Sequence, residues 1–227
     1  ICKDFMDLFN AEALWMPGVS LLDGIAYDFG EKKNFIKSAH NFENDILVAA
    51  RNIAKRYSTG KDHIKGTTDL ALAIFDSMKK VHGMGDRERL LLQIAVQLHD
   101  CGKYISMGDV AECSYQIIMA TEIIGLSTDN TTEFVYYSEI AGEVGMDRSV
   151  YLLIAKLTAI LRIANAMDRS HYQKVKNMKA MLKDRTLLLT VDSEQDISLE
   201  LGLLMDKVEF FEEVFGIRLV FRRKRKV

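Results

Sequence analysis

The chain has 227 residues, 48% of them hydrophobic, with a formal net charge of −2 and a mean hydropathy of −0.01. That length buries one larger domain, or a helical domain with a small appendage, and the body of the chain, net acidic once its basic last eleven residues are set aside, has no reason to hold nucleic acid. No apolar run is expected to reach the ~20 residues of a membrane span. Residues 1–12 mix Lys3, Asp4, Asp7 and Glu12 with apolar residues, unlike a signal peptide, so no membrane partner and a cytoplasmic setting are expected.

The first residue is Ile1, so a longer parent is expected. The segment "ALWMPGVSLLDGIAYDFG" combines a Pro-Gly turn at Pro17 with a short amphipathic helix, and the charged stretch "GEKKN" at 30–34 marks a candidate boundary. Apolar residues then recur at spacings of three and four. The spacing predicts helices over 41–57, with Ile46, Ala49, Ala50, Ile53 and Ala54 on one face, and over 63–81, with Leu70, Ile74 and Met78 inward. A third helix starts with Asp86 as N-cap and Glu88 in its first turn, and is apolar enough to be central. Further helices are predicted at 113–125, at 128–142 with Ser127 or Thr128 as cap, and at 147–169.

Past residue 183 the pattern changes. "RTLLLTV" and "DISLELG" read as short strands, "LLMDKVEFFEEVF" as a helix and "IRLVF" as another strand. The expected fold is therefore mainly α, with a helical body over 34–182 and a small α/β appendage over 183–227. The end, "IRLVFRRKRKV", carries only basic charge and is either a solvated terminus or a contact for a polyanion. Cys2, Cys101 and Cys113 are odd in number, show no CxxC spacing and read as free thiols.

The chemistry concentrates where the central helix stops. "LLLQIAVQLHDCGK" runs from apolar residues straight into His99 and Asp100, followed by Gly102 and Lys103. Adjacent helix positions lie ~100° apart, so both side chains reach one place only where the helix ends among others. A capping pair that satisfies its own hydrogen bonds explains the dipeptide equally well. His63, near the start of the preceding helix, and Asp168, at the end of "VYLLIAKLTAILRIANAMD", supply a further imidazole and carboxylate. Together His63, His99, Asp100 and Asp168 offer a mixed nitrogen and oxygen set suited to Mn²⁺, Fe²⁺, Mg²⁺ or Zn²⁺. Lys103, Arg162, Arg169 and His171 flank that set as candidate phosphate contacts, either a guanidinium fork or a mobile point charge. Ordinary solvation or a carboxylate partner within the bundle accounts for the same residues.

The order His63, His99-Asp100, Asp168 resembles the H…HD…D pattern of the HD-domain metal-dependent phosphohydrolases. "GVSLLDGIAYDF", "HGMGDRERLLLQIAVQLHDCGKYI", "SYQIIMA" and "LRIANAMDRSH" are similar to the C-terminal half of the exopolyphosphatase and guanosine pentaphosphate phosphatase (Ppx/GppA) family, from about residue 17 onward. The resemblance implies an HD-type helical bundle. It also implies that residues 1–33 trail from an N-terminal actin-like module whose glycine-rich phosphate loops, the polyphosphate-cleaving part, are not in this sequence. On that basis the parent is a hydrolase of phosphoanhydride bonds, and this portion binds inorganic polyphosphate or guanosine polyphosphate, aids homodimer formation and lacks the cleavage itself. Many family members carry histidines where this chain has Cys113 and Ser138, so this departure disfavours a dinuclear centre and leaves two alternatives, a mononuclear site or an unmetallated hydrogen-bonded cluster. An autonomous HD-type phosphohydrolase and a purely structural or regulatory domain are the competing readings.

Overall fold

A computed structural model describes residues 2–33, 35–36, 42–57, 60–121, 148–175 and 177–224. Residues 1–41 and 42–227 form two compact units. In the first, α1 (Cys2–Leu8) is followed by α2 (Leu21–Lys32). Ser20 caps α2 reciprocally: its hydroxyl accepts from Asp23 N at 3.3 Å while the Asp23 carboxylate accepts from Ser20 N at 2.8 Å. The helix continues through Gly30 to Lys32, into the charged stretch read as a break.

The second unit opens with α3 (Phe42–Arg56), which buries Ile46, Ala50, Ile53 and Ala54. The single helix expected over 63–81 is two helices, α4 (Lys61–Ser77) and α5 (Lys79–His82), divided at Met78 and closed by Gly83 in the left-handed region at φ 67°. Next comes α6 (Asp86–Leu98), whose residues 90–92 and 94–98 are buried, as expected of a central helix. Its N-cap is Gly85, not Asp86: Gly85 N donates to the Glu88 carboxylate at 2.7 Å, so the acid three residues on does the capping and Asp86 already lies inside the first turn.

A 3₁₀ turn, Cys101–Tyr104, leads to α7 (Val110–Met119), which starts earlier than the expected 113–125 helix. The helix expected at 128–142, its Ser127 or Thr128 cap and Ser138 lie outside the described residues. Then α8 (Arg148–Ala166) crosses the core. Contrary to expectation, this helix is long and apolar enough by composition to span a membrane. Lys156 and Arg162 interrupt the run in sequence without changing its overall character, and its inward face, including Leu157, Ile160 and Ile163, packs as a core helix does.

A three-stranded sheet completes the unit. Strand β1 (Asn177–Lys183) pairs antiparallel with β2 (Thr186–Asp192), which pairs in parallel with β3 (Arg218–Arg223). The hairpin turns on Asp184 and Arg185, both at positive φ (46° and 58°), as a tight two-residue loop requires. The crossover from β2 to β3 is α9 (Ser198–Phe215), which packs on α8. This corrects the reading of "DISLELG" as a strand. Buried Ile197, Glu200 and Leu204 sit three and four residues apart, and that helical period outweighs the short apolar alternation. Strand β1 was not foreseen: it begins at Asn177, ahead of the change of pattern at 183. The described fold is mainly α with a small α/β element.

Candidate metal centre

His63 lies in the first turn of α4 on the face that also buries Thr67 and Leu70. Its ring Nδ1 meets Asp168 Oδ2 at 2.7 Å. Asp168 lies just past α8 and is only 2% exposed. Its carboxylate also accepts from Gln173 N at 2.8 Å (Oδ1) and Gln173 Nε2 at 3.1 Å (Oδ2). Gln173 Nε2 in turn donates to His171 O at 2.8 Å, closing the 168–173 loop on itself. The loop lies against Gly66, where an added Cβ would stand 3.4 Å from Gln173 Cγ.

The end of α6 provides the other half. His99 is its C-cap, with N bonded to Ala95 O at 2.9 Å and ring Nδ1 against Val96 O at 2.9 Å. The chain leaves the helix at Asp100 (φ −101°, ψ 0°), so two consecutive side chains reach the same spot. His99 Nε2 lies 3.4 Å from Asp100 Oδ1, and His63 Nε2 lies 3.9 Å from Asp100 Oδ2. Lys103 Nζ holds Asp100 Oδ2 at 2.5 Å. The structure thus brings His63, His99, Asp100 and Asp168 together with Lys103.

His171 completes the cluster. It stacks on His63 with centroids 3.7 Å apart and planes inclined by 2°. Donor atoms of His63, Asp100 and His171 all lie within 4.8 Å of one another, a group able to hold a metal ion. The other candidate cations lie elsewhere: the Arg162 guanidinium sits 5.1 Å from the Phe210 ring centre, and Arg169 is exposed. Neither shows a hydrogen bond or ion pair to the cluster among the described residues.

Burial lowers the proton affinity of His99, overriding the opposing Asp100 charge. His171 is lowered by burial and by the neighbouring His63 and Lys103. For Asp168 and Asp100 burial acts upward but is outweighed, by hydrogen bonds from His63 and Gln173 in the first case and by His99 and Lys103 in the second. Both stay below the ordinary carboxylate value. Cys101, beside the pair, is an unreactive thiol, pushed up to about 11 by burial.

Two nitrogens of the cluster are left without hydrogen-bond partners among the described residues, His63 Nε2 and His99 Nε2, both buried. A buried polar atom left bare is costly, and both face the Asp100 carboxylate. The donor set fits a divalent cation, because a neutral imidazole with Nδ1 hydrogen-bonded and Nε2 free is what a metal ligand needs. Sequence reading did not single out Gln173, nor Glu200 of α9, whose carboxylate accepts from Ser170 Oγ at 2.5 Å and pairs with Lys174 at 3.3 Å to brace the same loop. No spacing links these residues, although a buried acidic position in an amphipathic helix is a signal for Glu200.

Residues 48–209 match the family described as Ppx/GppA phosphatase, domain III. No curated protein matches the chain.

Proposed function

Because the chain belongs to the Ppx/GppA phosphatase family through its domain III, we propose that it serves a phosphohydrolase acting on polyphosphate or guanosine polyphosphate by holding one divalent cation and receiving phosphate oxygens beside it. The observation that carries this reading is the pair of bare, buried nitrogens, His63 Nε2 and His99 Nε2, facing Asp100. A cation bound there supplies positive charge to phosphate oxygens. Asp100 and the imidazoles hold it, and Lys103, partly exposed beside them, offers an ammonium to the anion. Asp168 and Gln173 keep the loop closed and the rings oriented.

The decisive experiment is equilibrium dialysis of the chain, purified without chelator or metal-affinity tag, against Mn²⁺, Fe²⁺, Mg²⁺ and Zn²⁺. One ion per chain, lost in Asp100→Asn, is expected; no binding of any of the four defeats the metal reading. Polyphosphate binding is then titrated at two ionic strengths, with and without the ion. It should weaken with salt because Lys103 and the basic residues of β3 act through screened charge. Sedimentation of the same samples tests the homodimer that the family resemblance implies, and a monomer throughout would count against it.

The convergence of the four residues favours a second reading, an autonomous metal-dependent phosphohydrolase. Phosphate release from a small phosphomonoester by the loaded chain, abolished in Asp100→Asn, distinguishes it from the binding role.

A further inference from the structure

Resting on the metal reading above, we infer that Asp168 does not touch the cation but acts through His63, and that His171 supplies the donor its place in the sequence pattern suggests for Asp168. Both oxygens of Asp168 are engaged elsewhere. Its Oδ2 meets His63 Nδ1 at 2.7 Å and Gln173 Nε2 at 3.1 Å, and its Oδ1 takes Gln173 N at 2.8 Å. An ionised carboxylate oxygen only accepts hydrogen bonds, so His63 carries its hydrogen on Nδ1 and presents the Nε2 lone pair to the opposite side. Val96 O does the same for His99 at 2.9 Å. Both rings are thus set in one tautomer by acceptors behind them, the arrangement in which an outer carboxylate or carbonyl orients a ligating imidazole.

The donors in front are His63, Asp100 and His171, mutually within 4.8 Å, with His99 Nε2 at 3.4 Å from the same carboxylate. Neither Asp168 nor His99 belongs to that group of three, but they differ in what is left to offer: His99 Nε2 is buried and unpartnered among the described residues, whereas both Asp168 oxygens are already hydrogen-bonded to His63 or Gln173. His171 reaches it because its backbone is held at φ 58°, with its N–H bonded to Asp168 O at 2.9 Å. Asp168 therefore positions two ligands, one by its side chain and one by its carbonyl. The resulting set of three imidazoles and one carboxylate is richer in nitrogen than the four-residue pattern. It favours Zn²⁺ or Fe²⁺ over Mg²⁺, which prefers oxygen ligands.

The test compares Co²⁺ titrations, read by visible absorption, of the unaltered chain, Asp168→Asn and His171→Phe, with Mg²⁺ as competitor. Asparagine still accepts from His63 Nδ1, so D168N should keep one ion and the same absorption bands, with affinity reduced about 10–100-fold as for an outer-shell change. H171F preserves an aromatic ring on His63 but offers no nitrogen. It should lose more affinity than D168N and shift the bands, and millimolar Mg²⁺ should fail to displace Co²⁺ from the unaltered chain. Altered bands or no binding in D168N, unaltered binding in H171F, or easy displacement by Mg²⁺ overturns the inference. His171 is exposed, so H171F tests it even where D168N folds poorly. A chain that takes up no divalent ion at all defeats the metal reading itself, and this inference with it.

Discussion

Lys103 already contacts the carboxylate that a metal ion would need. Its ammonium holds Asp100 Oδ2 at 2.5 Å with the side chain 29% exposed, so lysine and cation compete for one oxygen. Lys103→Met should therefore tighten divalent-ion binding by roughly fivefold, the order of ~1 kcal/mol for a partly screened charge pair. It should also weaken polyphosphate binding and flatten its salt dependence. Calorimetric titration of both ligands at two ionic strengths measures the two effects; parallel loss of both would assign Lys103 to holding the turn. Adjacent His99 and Asp100 stood out in the sequence because an apolar helix rarely ends on two such residues. Which nitrogen faces inward could not be read there, because it depends on Val96 O and Asp168 approaching from behind.

At the scale of elements, the turn after α6 is shaped by one close approach. A Cβ on Gly102 would stand 2.1 Å from Val110 O and 2.5 Å from Ser114 N, and both belong to backbone that cannot swing aside. Gly102 N donates to Ser114 Oγ at 2.9 Å, and that hydroxyl donates to His99 O at 3.0 Å, fastening α7 to the end of α6. Gly102→Ala should cost at least the ~1–3 kcal/mol of an overpacked core, seen as a lower urea midpoint. Ser114→Ala should cost ~1–3 kcal/mol by leaving a buried N–H and carbonyl unpaired. An unchanged midpoint in either variant would contradict this account of the joint. Gly102 was legible as a helix end, whereas its role as the seat of α7 was not, since the contact spans two elements. Strand β1 escaped notice for a related reason: "NMKAMLK" is an edge strand with Lys179 and Lys183 exposed, Met178, Ala180 and Leu182 only half-buried and Met181 exposed, which gives a weak alternation.

For the whole molecule, acid should be the destabilising direction on two counts. His82 is buried with both ring nitrogens used in the neutral form: Nε2 donates to Phe75 O at 2.8 Å, and Nδ1 accepts from Met84 N at 2.9 Å. Burial lowers its proton affinity and outweighs the hydrogen bond to Phe75 O, which acts upward; Lys156 and Lys79 add to the lowering, and Asp76 opposes it weakly. The unfolded chain binds this proton first, so stability is complete above the ordinary value of 6.5 and declines as pH falls below it. Asp76, held low chiefly by its hydrogen bonds from Arg89, and Glu200, where Ser170 and Lys174 outweigh burial, act at lower pH. Their contribution is present above the ordinary carboxylate values of 3.8 and 4.5 and is lost as pH falls through the folded values. Thermal melting in chelator from pH 8 to pH 3 should show a plateau, a first decline from about 6.5 and a second below about 4. His82→Asn should shrink the first decline and leave the second. A melting temperature that rises on acidification would contradict both assignments.

By itself the sequence determined the helical character of the body, the burial of most of 90–98 and the candidate set His63, His99, Asp100 and Asp168. These follow from apolar spacing and from donor chemistry carried within single elements. Ile46, Ile53, Leu70 and Ile74 are inward for that reason. The tertiary structure decided the rest. It broke the 63–81 helix at Met78, moved the α6 cap to Gly85 and turned "DISLELG" into the start of a crossover helix. It also placed His171 against His63, because the loop after α8 folds back on Asp168 and is braced by Glu200 from an element some thirty residues away. Such contacts join residues whose separation carries no period, so only the packed chain brings them within reach of one another.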